Sequence, residues 1–224
     1  MTATATRIPT ARLAVLAAGA LAAVVALLLA PAASHAKTYT FGTRLDHEPS
    51  NSAPAHNCRE DGSDDPTPPC TRVAIDMGDA VPGGLTAPRN GTIVKFRVRA
   101  GAPGDLTFRL AKLRQLGFDP SLGDFAGFGK GAGTGPSVHV EGRGFDDVNP
   151  VEEFPAHLKV HKGDYLAIDS SATSVLYCSG GGNNQLIFSP TLGSAFSIST
   201  QSEGCDLLVQ AVMKPTPKRH RRGR

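Results

Sequence analysis

Apolar and polar residues alternate with a period of two through most of this chain. That period suits strands with one buried face and does not suit amphipathic helices. Val94, Phe96 and Val98 alternate with Lys95, Arg97 and Arg99. Leu106, Phe108 and Leu110 alternate with Thr107 and Arg109, and Leu158 and Val160 with His157, Lys159 and His161. Val73, Ile75 and Met77 alternate with Arg72, Ala74 and Asp76. Each segment reads as apolar-in, polar-out. Leu207–Met213 is almost wholly apolar and reads as a central strand. Leu166 with Ile168, and Leu186 with Phe188, mark two shorter strands. Pro82-Gly83-Gly84, Asn90-Gly91, Lys162-Gly163-Asp164 and Gly180–Asn184 supply turn chemistry between them. Leu110–Leu116 carries a helix-like pattern too short to matter. The glycine-rich stretch Gly117–Gly135, holding Phe118, Phe125 and Phe128, reads as a long loop. The expected fold is all-β: a single antiparallel β-sandwich, jelly-roll-like, stapled by two disulfides.

The staple follows from the leader and the cysteines together. Arg7 and Arg12 precede an unbroken apolar run, Leu13–Ala30, which Pro31 ends; Ser34-His35-Ala36 then offers small residues at a cleavage site. Residues 1–36 are therefore expected to be a secretory signal peptide, with the mature chain starting at Lys37. An uncleaved anchor is the alternative, since 18 apolar residues touch the lower limit for a bilayer span. No second long apolar run follows, so no membrane span is expected in the mature chain. Cys58, Cys70, Cys178 and Cys205 all lie after the leader. An even count in an exported chain implies a disulfide framework. Three pairings exist. Cys58–Cys70 and Cys178–Cys205 are preferred because each closes a loop of turn-forming residues. A zinc site built from all four cysteines lacks the C-x-x-C pair it needs.

Charge divides the chain. Residues 37–213 hold 15 Lys and Arg against 20 Asp and Glu, a net charge of −5, while residues 214–224 hold six cations and no acid. The expected organisation is a domain over 37–213 and a disordered basic tail over 214–224. Lys214, Lys218, Arg219, Arg221, Arg222 and Arg224 are the candidate contacts to an anionic cell-wall polymer or to lipid head groups; the bland reading is a solubilising end. An extracellular protein is the other partner considered. An exported, acidic domain argues against nucleic acid.

The run Ala87–Arg99, then Leu106–Leu110, then Val160–Asp169, resembles secreted jelly-roll proteins of high-GC actinobacteria. The resemblance covers residues 70–213 at the level of pattern. It implies a fold and an extracellular address and carries no activity or site residues.

Candidate chemistry is sparse. Asp61, Asp64 and Asp65 lie inside the Cys58–Cys70 loop and are a candidate structural calcium site, although their spacing departs from the EF-hand order. No other cofactor is expected. His157 and His161 are about 13 Å apart on a strand, too far for one metal, and read as solvent-facing. Gly127–Gly133 fits neither phosphate-loop pattern, and no G-x-S-x-G elbow occurs. Sugar stacking on an aromatic platform is disfavoured by zero Trp and three Tyr, which leaves a hydrogen-bonding mode. Arg72, Lys95, Arg97, Arg99, Arg109 and Lys159 are expected outward, as a basic sheet face that is either paired with nearby acids or docks an anionic wall polymer. The reading is a secreted or wall-associated, non-catalytic binding or structural protein. The alternative is an extracellular hydrolase with an unrecognised site.

Overall fold

The alternating segments form strands where they are described; Asp76 and Met77 lie outside the described residues. The computed structural model describes residues 37–50, 58, 69–75, 80–121, 124–145, 147–170, 175–178 and 183–217. In chain order the strands are β1 (Tyr39–Gly42), β2 (Cys70–Ala74), β3 (Gly91–Arg99), β4 (Gly104–Asp119), β5 (Asp124–Val140), β6 (Val151–Val160) and β7 (Tyr165–Ser170). They continue as β8 (Leu176–Cys178), β9 (Gln185–Phe188), β10 (Ser197–Ile198), β11 (Gln201–Glu203), β12 (Cys205–Leu207) and β13 (Val209–Pro215). No helix occurs among the described residues, and so none that is long and apolar enough to cross a membrane.

One sheet runs β1-β13-β3-β6, a second β10-β5-β4-β7-β2-β9-β11, and β8 and β12 form a small third. All named pairings are antiparallel. Inward residues of the first two sheets meet in one core, where Phe41, Ile93, Phe96, Val98, Val209 and Met213 face Leu106, Phe108, Leu110, Leu166 and Ile168. Phe96 stacks on Phe108 across the interface, centroids 4.3 Å apart. β13 is the central strand expected near Leu207–Met213, although Leu207 itself belongs to β12.

A second core lies on the other face of the larger sheet. Val73, Ala111, Ala167, Leu186, Phe188 and Leu192 cluster there. The chain explains how that face is covered. Ser199 donates its N–H to Gly127 O on β5, and the next residue, Thr200, donates to Ile187 O on β9. One residue therefore carries the chain from one edge of the sheet to the other, so the sheet curls over Leu186 and Phe188 and buries them.

The two disulfides are Cys58–Cys70 and Cys178–Cys205, the preferred pairing. Cys178 and Cys205 are register partners of β8 and β12. The Lys162-Gly163 turn joins β6 to β7 with Gly163 left-handed at φ 87°.

Four expectations need correction. The stretch Gly117–Gly135 is not a loop: it holds the end of β4 and most of β5. Leu110–Leu116 is likewise strand, inside β4. Arg72 does not face solvent; it is fully buried and paired with Glu203. The strand at the C-terminal side also runs past Met213, taking Lys214 and Pro215 into register with Thr92 and Gly91.

Candidate functional site

Two surface regions carry polar chemistry. The first is the end of the four-stranded sheet where β13 leaves it. Register places Lys214 of β13 beside Thr92 of β3, and Thr92 beside Lys159 of β6. Both lysines are exposed, and two strand spacings set them about 10 Å apart. A groove of about 590 Å3 opens beside this row, lined by Pro88, Arg89, Asn90, Lys162, Pro215, Thr216 and Pro217. Thr216 donates to Asn90 O, and Lys162 donates its backbone N–H to Asn90 Oδ1, so both walls are tied down. Arg89 and Lys37 lie over the Tyr39 ring at 5.1 and 5.4 Å. Among the described residues no carboxylate pairs with Lys37, Arg89, Lys159, Lys162 or Lys214. The nearest acid in the turn, Asp164, is buried and accepts the His161 N–H.

Further along the same face, the cations are matched. Lys95 and Arg97 both reach Glu153, at 2.6 and 3.1 Å, and Arg99 pairs with Glu48. Lys95 holds the Glu153 carboxyl below its ordinary range, chiefly through their hydrogen bond, with Arg97 adding to the effect. The expected basic face thus exists for Lys95, Arg97, Arg99 and Lys159. Its middle is neutralised, as the paired reading holds, and its end is not. Arg72 and Arg109 belong to the other sheet.

The second region is a groove of about 640 Å3 on the outer face of the larger sheet. Its floor is a register row: Ser137 on β5, Thr107 on β4 and Asp169 on β7, with Thr71 on β2 behind. Thr71 Oγ1 accepts the Leu192 N–H, and so its own proton goes to Asp169 Oδ1, 2.5 Å away. Arg109 Nη1 is 3.3 Å from Asp169 Oδ2. Burial raises the Asp169 carboxyl above its ordinary value, against the pull of Thr71 and Arg109. Thr107 and Ser137 share a 2.7 Å hydroxyl hydrogen bond. At the lip, His139 Nδ1 is 2.7 Å from its cross-strand partner Asp105. That hydrogen bond raises the imidazole above its ordinary value.

Several sequence candidates fall outside the described residues: the leader 1–36, Asp61, Asp64 and Asp65, and Lys218, Arg219, Arg221, Arg222 and Arg224. Lys214 is in place, on β13. His157 and His161 are both exposed, as expected. Among the described residues no group of three His, Cys, Asp or Glu is placed to hold a metal. Sequence reasoning missed the polar groove altogether. Its residues come from four strands and meet only through register, and just one signal, the polar positions 105, 107 and 109 on β4, was visible beforehand.

No family model, curated protein or solved structure matches this chain. Its architecture defines it instead: an all-β protein with two antiparallel sheets sharing a core and two disulfides, the mark of an oxidising environment.

Proposed function

We propose that this is a secreted, wall-associated β-sandwich that binds an anionic surface polymer without catalysis, through its basic tail and the cradle from which the tail emerges. One observation carries the reading: Lys37, Arg89, Lys159, Lys162 and Lys214 gather where β13 ends, and among the described residues no carboxylate is paired to them. Five further cations follow Pro217 in the sequence. Each cation near an anionic surface adds up to about 1 kcal/mol, fading within a Debye length of ~8 Å. The fold reading is a jelly roll. Strands β1-β13-β3-β6 opposite β2-β7-β4-β5 follow the order of an eight-strand double Greek key, in keeping with the actinobacterial resemblance.

The test is sedimentation of the full chain with purified cell wall across a salt series. Two variants accompany it: deletion of 218–224, which spares β13, and Arg89→Ser/Lys159→Ser/Lys162→Ser. Each should weaken binding, and salt should weaken it further. Undiminished co-sedimentation of both variants at low salt would overturn the reading.

The His139–Asp105 pair favours a second reading, an extracellular hydrolase. Against it, the Asp105 and His139 side chains are 88% and 55% exposed, and the neighbouring Ser137 hydroxyl is bonded to Thr107. A triad needs a sheltered acid and a nucleophile bonded to the base. Hydrolysis of a chromogenic ester or glycoside that His139→Ala abolishes would restore the hydrolase reading.

A further inference from the structure

The outer-face groove has a character the basic end lacks: its carboxylates are partnered. Asp169 is matched by Arg109 at 3.3 Å, and Asp105 lies 2.7 Å from His139 Nδ1. Among the described residues no unpaired cation lines the groove to take an anion. What the groove offers is a fixed set of neutral and paired donors and acceptors: the Thr107–Ser137 hydroxyl pair, the Asp169 carboxylate held by Thr71 and Arg109, and the Asp105–His139 pair at the lip. The holding groups are themselves fixed. Arg109 Nη2 donates to Leu192 O at 2.5 Å, and Leu192 N–H donates to Thr71. A donor–acceptor row fixed before binding loses little entropy when a ligand arrives.

We propose that this groove binds a neutral saccharide through hydrogen bonds, without aromatic stacking. Ser137, Thr107 and Asp169 sit on three adjacent strands and span roughly 10 Å, the length of about two linked pyranose rings. Sugar hydroxyls both donate and accept, which suits a row where hydroxyl and carboxylate alternate. Carboxylates are strong acceptors for paired sugar hydroxyls because a charged acceptor roughly doubles a hydrogen bond's strength. Pro69 gives the wall some apolar surface for ring C–H groups. No Trp is present anywhere in the chain, so the affinity from ring stacking is absent and binding is weak, in the millimolar range. The groove lies on the opposite sheet from the tail root, so this inference stands or falls separately from the anionic-polymer reading.

The experiment is NMR titration of the full mature chain, disulfides intact. The probes are neutral hexasaccharides of glucose, mannose, galactose, xylose and N-acetylglucosamine, with calcium chloride and inorganic phosphate as ion arms. At least one saccharide should shift the amides of Thr107 and Ser137 and the His139 ring. Ser137→Ala and Asp105→Ala, both at the open end of β4 and β5, should keep the melting temperature and each weaken that saccharide about 5–10-fold. Three results would overturn the proposal: no saccharide in the panel shifts these resonances, the two variants bind unchanged, or calcium or phosphate shifts them more strongly than any sugar.

Discussion

Arg72 offers the sharpest test of how the larger sheet is held together. Its guanidinium is fully buried on β2, with Ile168 and Ile187 as its neighbours in register. Nη1 donates to Glu203 Oε2 at 2.9 Å and to Gln185 Oε1 at 3.3 Å, and Gln185 Nε2 donates to the same Glu203 oxygen at 3.0 Å. The group thus ties β2 across β9 to β11, the strand that follows the edge-to-edge crossing at Thr200. Burial pushes the Arg72 guanidinium below its ordinary value, and Glu203 opposes the shift. Arginine stays protonated in proteins, so the pair is a cation against a carboxylate. Arg72→Met keeps the bulk and removes the charge, leaving the Glu203 carboxylate buried. Removing one partner of a buried pair costs about 3–5 kcal/mol. At about 2–4 °C per kcal/mol for a domain of this size, the melting temperature should fall about 6–20 °C. Arg72→Met/Glu203→Leu removes both charges and should recover part of the loss, because no ion is then left unpaired. Urea unfolding of the wild type, Arg72→Met, Glu203→Leu and the double variant closes the cycle. A loss under about 1 kcal/mol for Arg72→Met, or losses that simply add in the double variant, would refute the pairing argument.

The remaining predictions concern titration and the staples. Asp169 should titrate above 3.8 by carboxyl NMR, and Arg109→Met or Thr71→Val should move it higher still. With its native value raised, the folded state holds the proton more tightly, so this group's contribution falls as pH rises through that window. His139 should titrate above 6.5, and Asp105→Asn should bring it back toward the ordinary value. That raised value favours the folded state below the unfolded pKa, an advantage lost as pH rises through the folded one. A non-reducing peptide map should join Cys58 to Cys70 and Cys178 to Cys205. Cys178→Ser/Cys205→Ser should cost up to about 3.6 kcal/mol in urea unfolding, from the entropy of the loop it closes.

Much of the sandwich was legible because one sheet face is wet. Phe96 and Val98 of β3, Leu106, Phe108 and Leu110 of β4, and Leu158 and Val160 of β6 lie in or against the core as their alternation implies; Val94 does not, because the β3–β6 register shifts between Ile93 and Lys95 and Ile93 is the residue buried. β2 misled because it is buried on both faces: Val73 faces the second core while Arg72 points inward. An arginine at an alternating position reads as solvent-facing unless its acid is known, and Glu203 lies 131 residues away. The polar groove was hidden for the same reason, since register between distant strands cannot be read from any one of them. The basic cradle was half visible. The tail's cations are close together in sequence, but Arg89, Lys159 and Lys162 join Lys214 only through the fold.

β5 is the instructive miss. Its glycines stand at 127, 129, 131, 133 and 135, a strict period of two, which is a strand's signature with one side chain removed at every second position. The reason lies in what faces them. A Cβ on Gly129 would sit 2.5 Å from Phe188 Cζ and 3.1 Å from Leu113 Cδ2; one on Gly127, 2.5 Å from Leu116 Cδ2. After a register shift opposite Leu110 and Ala111, Gly133 and Gly135 turn to the main core, against Leu158 and Phe96. The glycines make room for rings and leucines that the curled sheet brings close. Gly129→Ala must therefore displace Phe188, which is buried and hemmed in by its own cluster. Overpacking of this kind costs about 1–3 kcal/mol, against a gain of about 0.4–1 kcal/mol from stiffening the unfolded chain. Gly117→Ala meets nothing within 4 Å and has no left-handed φ, so only the gain applies. Urea unfolding should then show opposite signs, Gly129→Ala destabilised and Gly117→Ala neutral or stabilised. If both variants move the same way, Phe188 is not packed against β5, and the glycines mark a loop after all.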